Sequence, residues 1–314
     1  MSGRHQPEAS DGSDAAVIAR RRWPVALAVV IAAMLLASGA VLAARSGGGK
    51  APAPGAGASK QSPQQIIPAP RGLMSATGPQ SNGTLWAVAG NSSVGLFKLN
   101  SGTGLETASM SVSQAARSVA QNSAGVVAIA LGTQTAGALE LVRNGTSKKT
   151  VGLPAPAQQV VAASAGTSFY VLTAWPSSAS VSTVSSTGRL LRTVPAPAGS
   201  VSIAADPRQG LVYVLQRNGL VDEIGLHGGN IESSFTVDGD GLSIAVSPDG
   251  SRLYVLKGTL SVSNIAVVDT ATEGVLKVLP APSHCIQLAV SPDGRHLYEA
   301  VGSPGYGNIQ VFGL

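Results

Sequence analysis

"IAVSPDGSRLYVLKG" (Ile244–Gly258) and "LAVSPDGRHLYEAVG" (Leu288–Gly302) are near copies set 44 residues apart. Each reads as an apolar strand, a tight S-P-D-G turn, and a second strand with an aromatic at its third position. The same aromatic-centred strand recurs as "TLWAV" with Trp86, "SFYVL" with Tyr170 and "LVYVL" with Tyr213, and "VVAIA" with Ala128 fills the remaining gap. From Trp86 to Tyr298 the successive spacings are 42, 42, 43, 41 and 44. A period of that length, built only of short strands and turns, predicts a β-propeller with one four-stranded sheet per repeat. Helical repeats of similar length need amphipathic runs of ten or more residues, and none occurs.

The fourth repeat shows the strands most clearly. "SVSIAAD" (Ser200–Asp206) reads as the inner strand, "LVYVLQ" (Leu211–Gln216) as the second, "LVDEIGL" (Leu220–Leu226) as the third and "IESSFTV" (Ile231–Val237) as the outer one. Gly, Asn and Asp punctuate each junction. Ala204, Ala245 and Ala289 each lie nine residues before the repeat tyrosine, where crowding of the inner strands around the axis favours small side chains.

After Tyr298 only one more strand fits, "NIQVFGL" (Asn308–Leu314). The phrase "PAP" marks the passage to a new inner strand at Pro154, Pro195 and Pro280, and it occurs once more at Pro68. "QQII" (Gln64–Ile67) before it therefore reads as an outer strand without a blade of its own. Pairing it with "NIQVFGL" closes a ring of six blades over residues 64–314 and covers two edges that would otherwise invite aggregation.

Ser247–Ala300 resembles the YVTN-type β-propeller repeat of the lactonase-like group. The resemblance rests on Ser247-Pro248-Asp249-Gly250, Ser291-Pro292-Asp293-Gly294 and Val267-Val268-Asp269-Thr270. It covers about one and a half repeats and decays upstream, where "DPRQG", "SAGTS" and "QNSAG" replace the turn. It implies a related propeller. Lactonase activity does not follow from it, because such repeats serve many roles. Turn chemistry accounts for the S-P-D-G residues themselves.

The N-terminal part has a different composition. Residues 1–24 read as a polar cytoplasmic tail ending in Arg20-Arg21-Arg22. Val25–Ala44 is twenty residues without a charge, long enough for a transmembrane helix. The positive-inside rule then puts the rest of the chain outside the cell. A cleaved signal with secretion is the alternative, since Val41-Leu42-Ala43 resembles a cleavage site. Residues 45–63 are a flexible Gly/Ala/Pro tether. These features look bacterial, and the triplets at Asn82, Asn91 and Asn144 are discounted as glycan acceptors.

The formal charge of +5 is concentrated in the first fifty residues; beyond them 15 basic residues face 13 acidic ones. That balance gives no argument for nucleic acid. Cys285 is the single cysteine, so an intrachain disulfide and a multi-cysteine metal site are excluded.

Loops at one end of the ring, opposite the S-P-D-G turns, carry the residues with chemistry. Arg71, Arg117, Asp238, Asp240 and His284 come from the outer-to-inner connections, and Trp175, Arg217 and Tyr306 from the second-to-third ones. These are candidate ligand-binding residues. No catalytic residue, metal ligand or cofactor is assigned. Asp238-Gly-Asp240-Gly begins like a Ca²⁺ loop but lacks its later ligands. His284 and Cys285, as neighbours entering a strand, point to opposite faces. No G-x-S-x-G, H-E-x-x-H or P-loop pattern occurs. The expectation is a membrane-tethered extracytoplasmic propeller that binds a protein or a cell-envelope component without catalysis. A lactonase-like metal-dependent hydrolase with its site at the central channel is the alternative. Convergence of three or more of Arg71, Arg117, Asp238, Asp240 and His284 on one gap discriminates the two.

Overall fold

The computed structural model describes residues 62–314, apart from 144, 146, 165 and 209. The tail, the Val25–Ala44 segment and the tether up to residue 61 lie outside the described residues. Among the described residues no helix is long and apolar enough to cross a membrane.

The chain begins its ring with β1 (Gln65–Pro68). Blade 1 holds β2 (Leu73–Ala76), β3 (Thr84–Gly90), β4 (Val94–Asn100) and β5 (Glu106–Ser111). Blade 2 holds β6 (Ala116–Gln121), β7 (Val127–Gly132), β8 (Gly137–Arg143) and β9 (Ser147–Leu153). Blade 3 holds β10 (Ala157–Ala162), β11 (Ser168–Trp175), β12 (Ser178–Ser185) and β13 (Leu190–Ala196). Blade 4 holds β14 (Ser200–Ala205), β15 (Leu211–Gln216), β16 (Leu220–Gly225) and β17 (Ile231–Thr236). Blade 5 holds β18 (Gly241–Val246), β19 (Arg252–Gly258), β20 (Ser263–Asp269) and β21 (Val275–Pro280). Blade 6 holds β22 (Cys285–Val290), β23 (His296–Ser303) and β24 (Tyr306–Gly313), and β1 completes it in the order β1-β24-β23-β22.

The expected closure is thus present. β1 pairs antiparallel with β24, with Gln65 opposite Val311 and Pro68 opposite Asn308. Ile67 is fully buried in the cluster between blades 6 and 1. The blade 4 strands match the sequence reading to within one residue at each end.

An apolar cluster fills each blade interface. The repeat aromatic points toward the following blade: Tyr213 packs with Val255 and Val268, and Tyr254 with Leu288 and Leu297. Where the aromatic is replaced by Ala128, Phe169 of the next blade occupies the interface instead. Ala204, Ala245 and Ala289 are the cross-strand partners of Tyr213, Tyr254 and Tyr298. Their small size leaves room for the ring opposite, a reason the crowding argument did not contain.

Two backbone devices repeat in all six blades. First, the residue before each inner strand accepts a hydrogen bond from the end of the second strand: Gly90 to Gly72, Gly132 to Ala115, Ala174 to Pro156, Arg217 to Gly199, Gly258 to Asp240 and Gly302 to His284. Second, each inner strand begins with a β-bulge that turns one extra residue toward the axis.

The bulge positions the next residue to reach across to the neighbouring blade. Ser75 accepts from Val119 N–H, Ser118 from Val160, Gln159 from Ile203, Ser202 from Ile244, Ser243 from Leu288, and Gln287 from Ala76. These six bonds form an unbroken belt around the channel, and the last joins the two ends of the ring. Ser serves in four blades and Gln in two.

Candidate functional site

The belt divides the central channel into two mouths. At the mouth chosen from sequence, the bulge residues form the lining: Met74, Arg117, Gln158, Val201, Leu242 and Ile286 surround a small cavity of about 100 Å³. Arg117 is its single charged side chain, and its Nε donates to the Gly132 carbonyl at 3.0 Å.

The other mouth, at the S-P-D-G end, holds a cavity of about 520 Å³. Ala120, Ala162, Ala205, Ala245 and Ala289 give it a wide aliphatic wall, and Thr77, Ser123 and Ser164 bring hydroxyls to it. Every residue lining it is neutral. Gln159 and Gln287 line both cavities. They belong to blades 3 and 6, which stand across the ring from one another. Each glutamine uses Oε1 in the belt, so its Nε2 keeps donors for the channel. The resulting cup is apolar-walled and neutral, with a glutamine from each of two opposite blades at its floor.

The structure scatters most of the residues singled out from sequence. His284 and Tyr306 come together, with ring centroids 6.0 Å apart in an edge-to-face arrangement. The recurring bond from Gly302 to the His284 carbonyl explains this, because it holds the Ser303–Tyr306 hairpin against the loop. His284 adopts φ 63°, the left-handed conformation that glycine takes at the same place in Gly72 and Gly199. Cys285 beside it is fully buried, and burial followed by the nearby Glu299 charge raises its thiol well above the ordinary range. Arg71, Arg217, Asp238 and Asp240 are exposed, and Trp175 is half-buried at the end of β11. None of these five lines either mouth of the channel. Among the described residues no group of three or more His, Cys, Asp or Glu could hold a metal ion.

One charged cluster and one lone buried carboxyl escaped the sequence reading. Arg208, in the inner-to-second turn of blade 4, bridges the buried Asp206 at 2.6 Å and also contacts Glu223. Burial pushes the Asp206 carboxyl up, but hydrogen bonds from Arg208 outweigh it and hold the group below its usual value. Burial, reinforced by Asp206, raises the Tyr213 hydroxyl beside them. This cluster is satisfied within itself and pins the turn.

Glu299 is the second case. It is 2% exposed, its Oε2 has no hydrogen-bond partner, and burial raises its carboxyl to about 8. One signal could have found it. The residue after the repeat aromatic is Ala87, Ile129, Val171, Val214 and Val255 in the other blades, and only blade 6 departs from an apolar side chain.

No protein-family model matches the chain, and no curated protein matches its sequence. Among solved structures it is similar to Kuenenia stuttgartiensis hydrazine synthase, with a TM-score of 0.58 and 15% identity over 73% of this chain and 74% of that one. At that identity the likeness shows the β-propeller fold alone.

Proposed function

We propose that this propeller is a non-enzymatic binding or scaffold module for a protein or cell-envelope component, held outside the membrane by Val25–Ala44. The neutral cup carries the reading. A wall without titratable groups offers no acid or base to activate its Ser and Thr hydroxyls, whereas apolar surface with a few convergent donors suits recognition. Gln159 and Gln287 favour a neutral, carbonyl-bearing group on the axis.

The hydrolase alternative required several polar ligands to converge. Of the five residues named for it, only Arg117 reaches a channel cavity. Thermal melting of the purified full chain with chelator, and with added Ca²⁺, Mg²⁺, Mn²⁺ or Zn²⁺, tests the choice. The expected change is below about 1 °C for every ion. A rise of several degrees with one ion marks a site that binds the native state and brings the hydrolase forward. Protease treatment of intact cells tests the location: the propeller should be digested while a cytoplasmic control survives.

A further inference from the structure

Propellers leave the outer strand of each blade with one unpaired edge, and such edges are normally defended by charge or bond-breaking geometry. Here β9 carries Lys148 and Lys149, β17 carries Glu232, and β5 is mostly polar. β13 exposes Leu190 and Leu191 at one end, followed by Arg192, which donates to the His227 carbonyl of blade 4. β1 exposes Ile66 alone, whereas β21 sets three exposed apolar side chains beside its one charge, Lys277. Its sequence is VLKVLP, and Val275, Leu276 and Val278 are 48%, 50% and 45% exposed.

The direction of its free backbone groups is set by the register. Ala281 N–H donates to Ser263 C=O at 3.2 Å, toward β20. Backbone direction alternates along an antiparallel strand, so Lys277 and Leu279 also face β20, while the N–H and C=O of Val278 face open space. Lys277 stands opposite Val267, whose side chain belongs to the cluster between blades 5 and 6. Its side chain therefore lies on that side of the sheet.

On that side a groove of about 470 Å³ runs between the two S-P-D-G turns. Lys277, Arg252 and Tyr254 line it, as do Asp249 and Asp293. The two carboxylates are engaged in their own turns. Asp249 accepts from Ser247 and Ser251, and Asp293 from Ser291 and the Arg295 N–H. Among the described residues, Arg252 and Lys277 form no ion pair and donate no side-chain hydrogen bond, unlike Arg208 and Lys148. An exposed apolar edge and two unpaired cations thus flank one groove.

We propose that the open edge of β21 takes an extended acidic peptide segment of a partner protein as a fifth strand of blade 5, with one of its carboxylates in the groove against Arg252 and Lys277. Main-chain bonds at Val278 supply the pairing, and alternate side chains cover Val275 and Leu276. The guanidinium and ammonium select a carboxylate, the charge-assisted hydrogen-bond partner that neither has among the described residues; Asp269, opposite Arg252 on β20, feels its charge without forming an ion pair. This names a partner chemistry for the binding-module reading, on which it rests, at a surface separate from the cup.

The test uses the purified full chain and a fluorescein-labelled nine-residue peptide alternating threonine and valine around one central aspartate. A twin with asparagine at the centre is the control. Anisotropy should show the aspartate peptide binding at least tenfold more tightly than the twin. Val278→Pro removes an outward N–H without touching a β20–β21 bond. It should weaken binding at least tenfold while Tm stays within about 2 °C. Should that variant misfold, Lys277→Gln carries the same expectation for the aspartate peptide alone. The double variant Arg252→Glu, Lys277→Glu should prefer a lysine-centred peptide. The proposal is overturned by equal binding of the two peptides, by unchanged binding to Lys277→Gln or to folded Val278→Pro, or by no saturable binding to the wild type. Dimerisation that Val278→Pro abolishes also overturns it, because β21 then pairs with a second copy. None of these outcomes alters the ion-dependence of melting, so the broader reading stands or falls separately.

Discussion

Blade 5 is continuous in the chain from Gly241 to Pro280, whereas blade 6 takes three strands from Cys285–Gly313 and its outer strand from Gln65–Pro68. Their turns are nearly identical. Ser247 and Ser291 each hydrogen-bond the turn aspartate, and Gly250 and Gly294 take φ 73° and 70°. Their interiors are not. Val255 in blade 5 corresponds to Glu299 in blade 6, and the belt residue Ser243 corresponds to Gln287. Local turn chemistry repeats faithfully because it is satisfied within a few residues. The packed columns diverge because each faces a different neighbour.

The largest expected effect breaks the blade that depends on both ends. Deleting Gln64–Ile67 removes the fully buried Ile67 and bares the β24 edge. The loss should be about 4 kcal/mol, a fall of roughly 8–16 °C in Tm for a domain of this size. An unchanged melting curve would mean that β1 does not close the ring. Ile67→Ala alone should cost about half as much or more.

Glu299→Val makes blade 6 resemble blade 5. Burial holds the wild-type carboxyl at about 8 in the folded chain. Between its ordinary value near 4.5 and that value, the folded form keeps a proton that the unfolded form has lost. The group's contribution is therefore fully present below 4.5 and is lost as pH rises through 8. The wild type should be less stable at pH 8.5 than at pH 5 by on the order of 4 kcal/mol from this group. Denaturant titrations at the two pH values should show that gap closing in Glu299→Val. Glu299→Gln should also remove the pH dependence while keeping a buried polar group. Persistence of the full gap in Glu299→Val would assign it to other groups.

The belt offers the smallest and most discriminating contrast. Ser243→Ala leaves the buried Leu288 N–H without an acceptor, at a cost of about 1–2 kcal/mol. Gln287→Ala leaves the Ala76 N–H beside the channel, where water replaces the amide, and should cost less than about 1 kcal/mol. Equal losses would mean that water does not reach the belt in blade 6.

Much of the fold was legible along the chain. Spacing of the repeat aromatic counted the blades, and the stray P-A-P at Pro68 exposed the clasp. The candidate site was less legible. Arg71, Asp238 and Asp240 were correctly placed on loops at one end of the ring, yet loop membership does not bring side chains to the axis. The bulges do, and of the residues named from sequence they select Arg117, joined by Met74, Gln158, Val201, Leu242 and Ile286. A bulge inserts one residue into a strand and reverses the parity of the residues after it, so alternation read from sequence fails there. Glu299 stood out in its column, but only the packed interface shows that its Oε2 lacks a partner.

By itself, then, the sequence determined the number of blades, their strand order, their turns and the pairing of Gln64–Ile67 with the last strand. These come from short-range periodicity and turn chemistry. The tertiary structure alone decided which mouth holds the cup, that Gln159 and Gln287 face each other across it, and that Arg252 and Lys277 share a groove. Those relations join residues from different blades or from distant strands of one blade, and their distances are set by the closed ring and its sheets rather than by spacing along the chain.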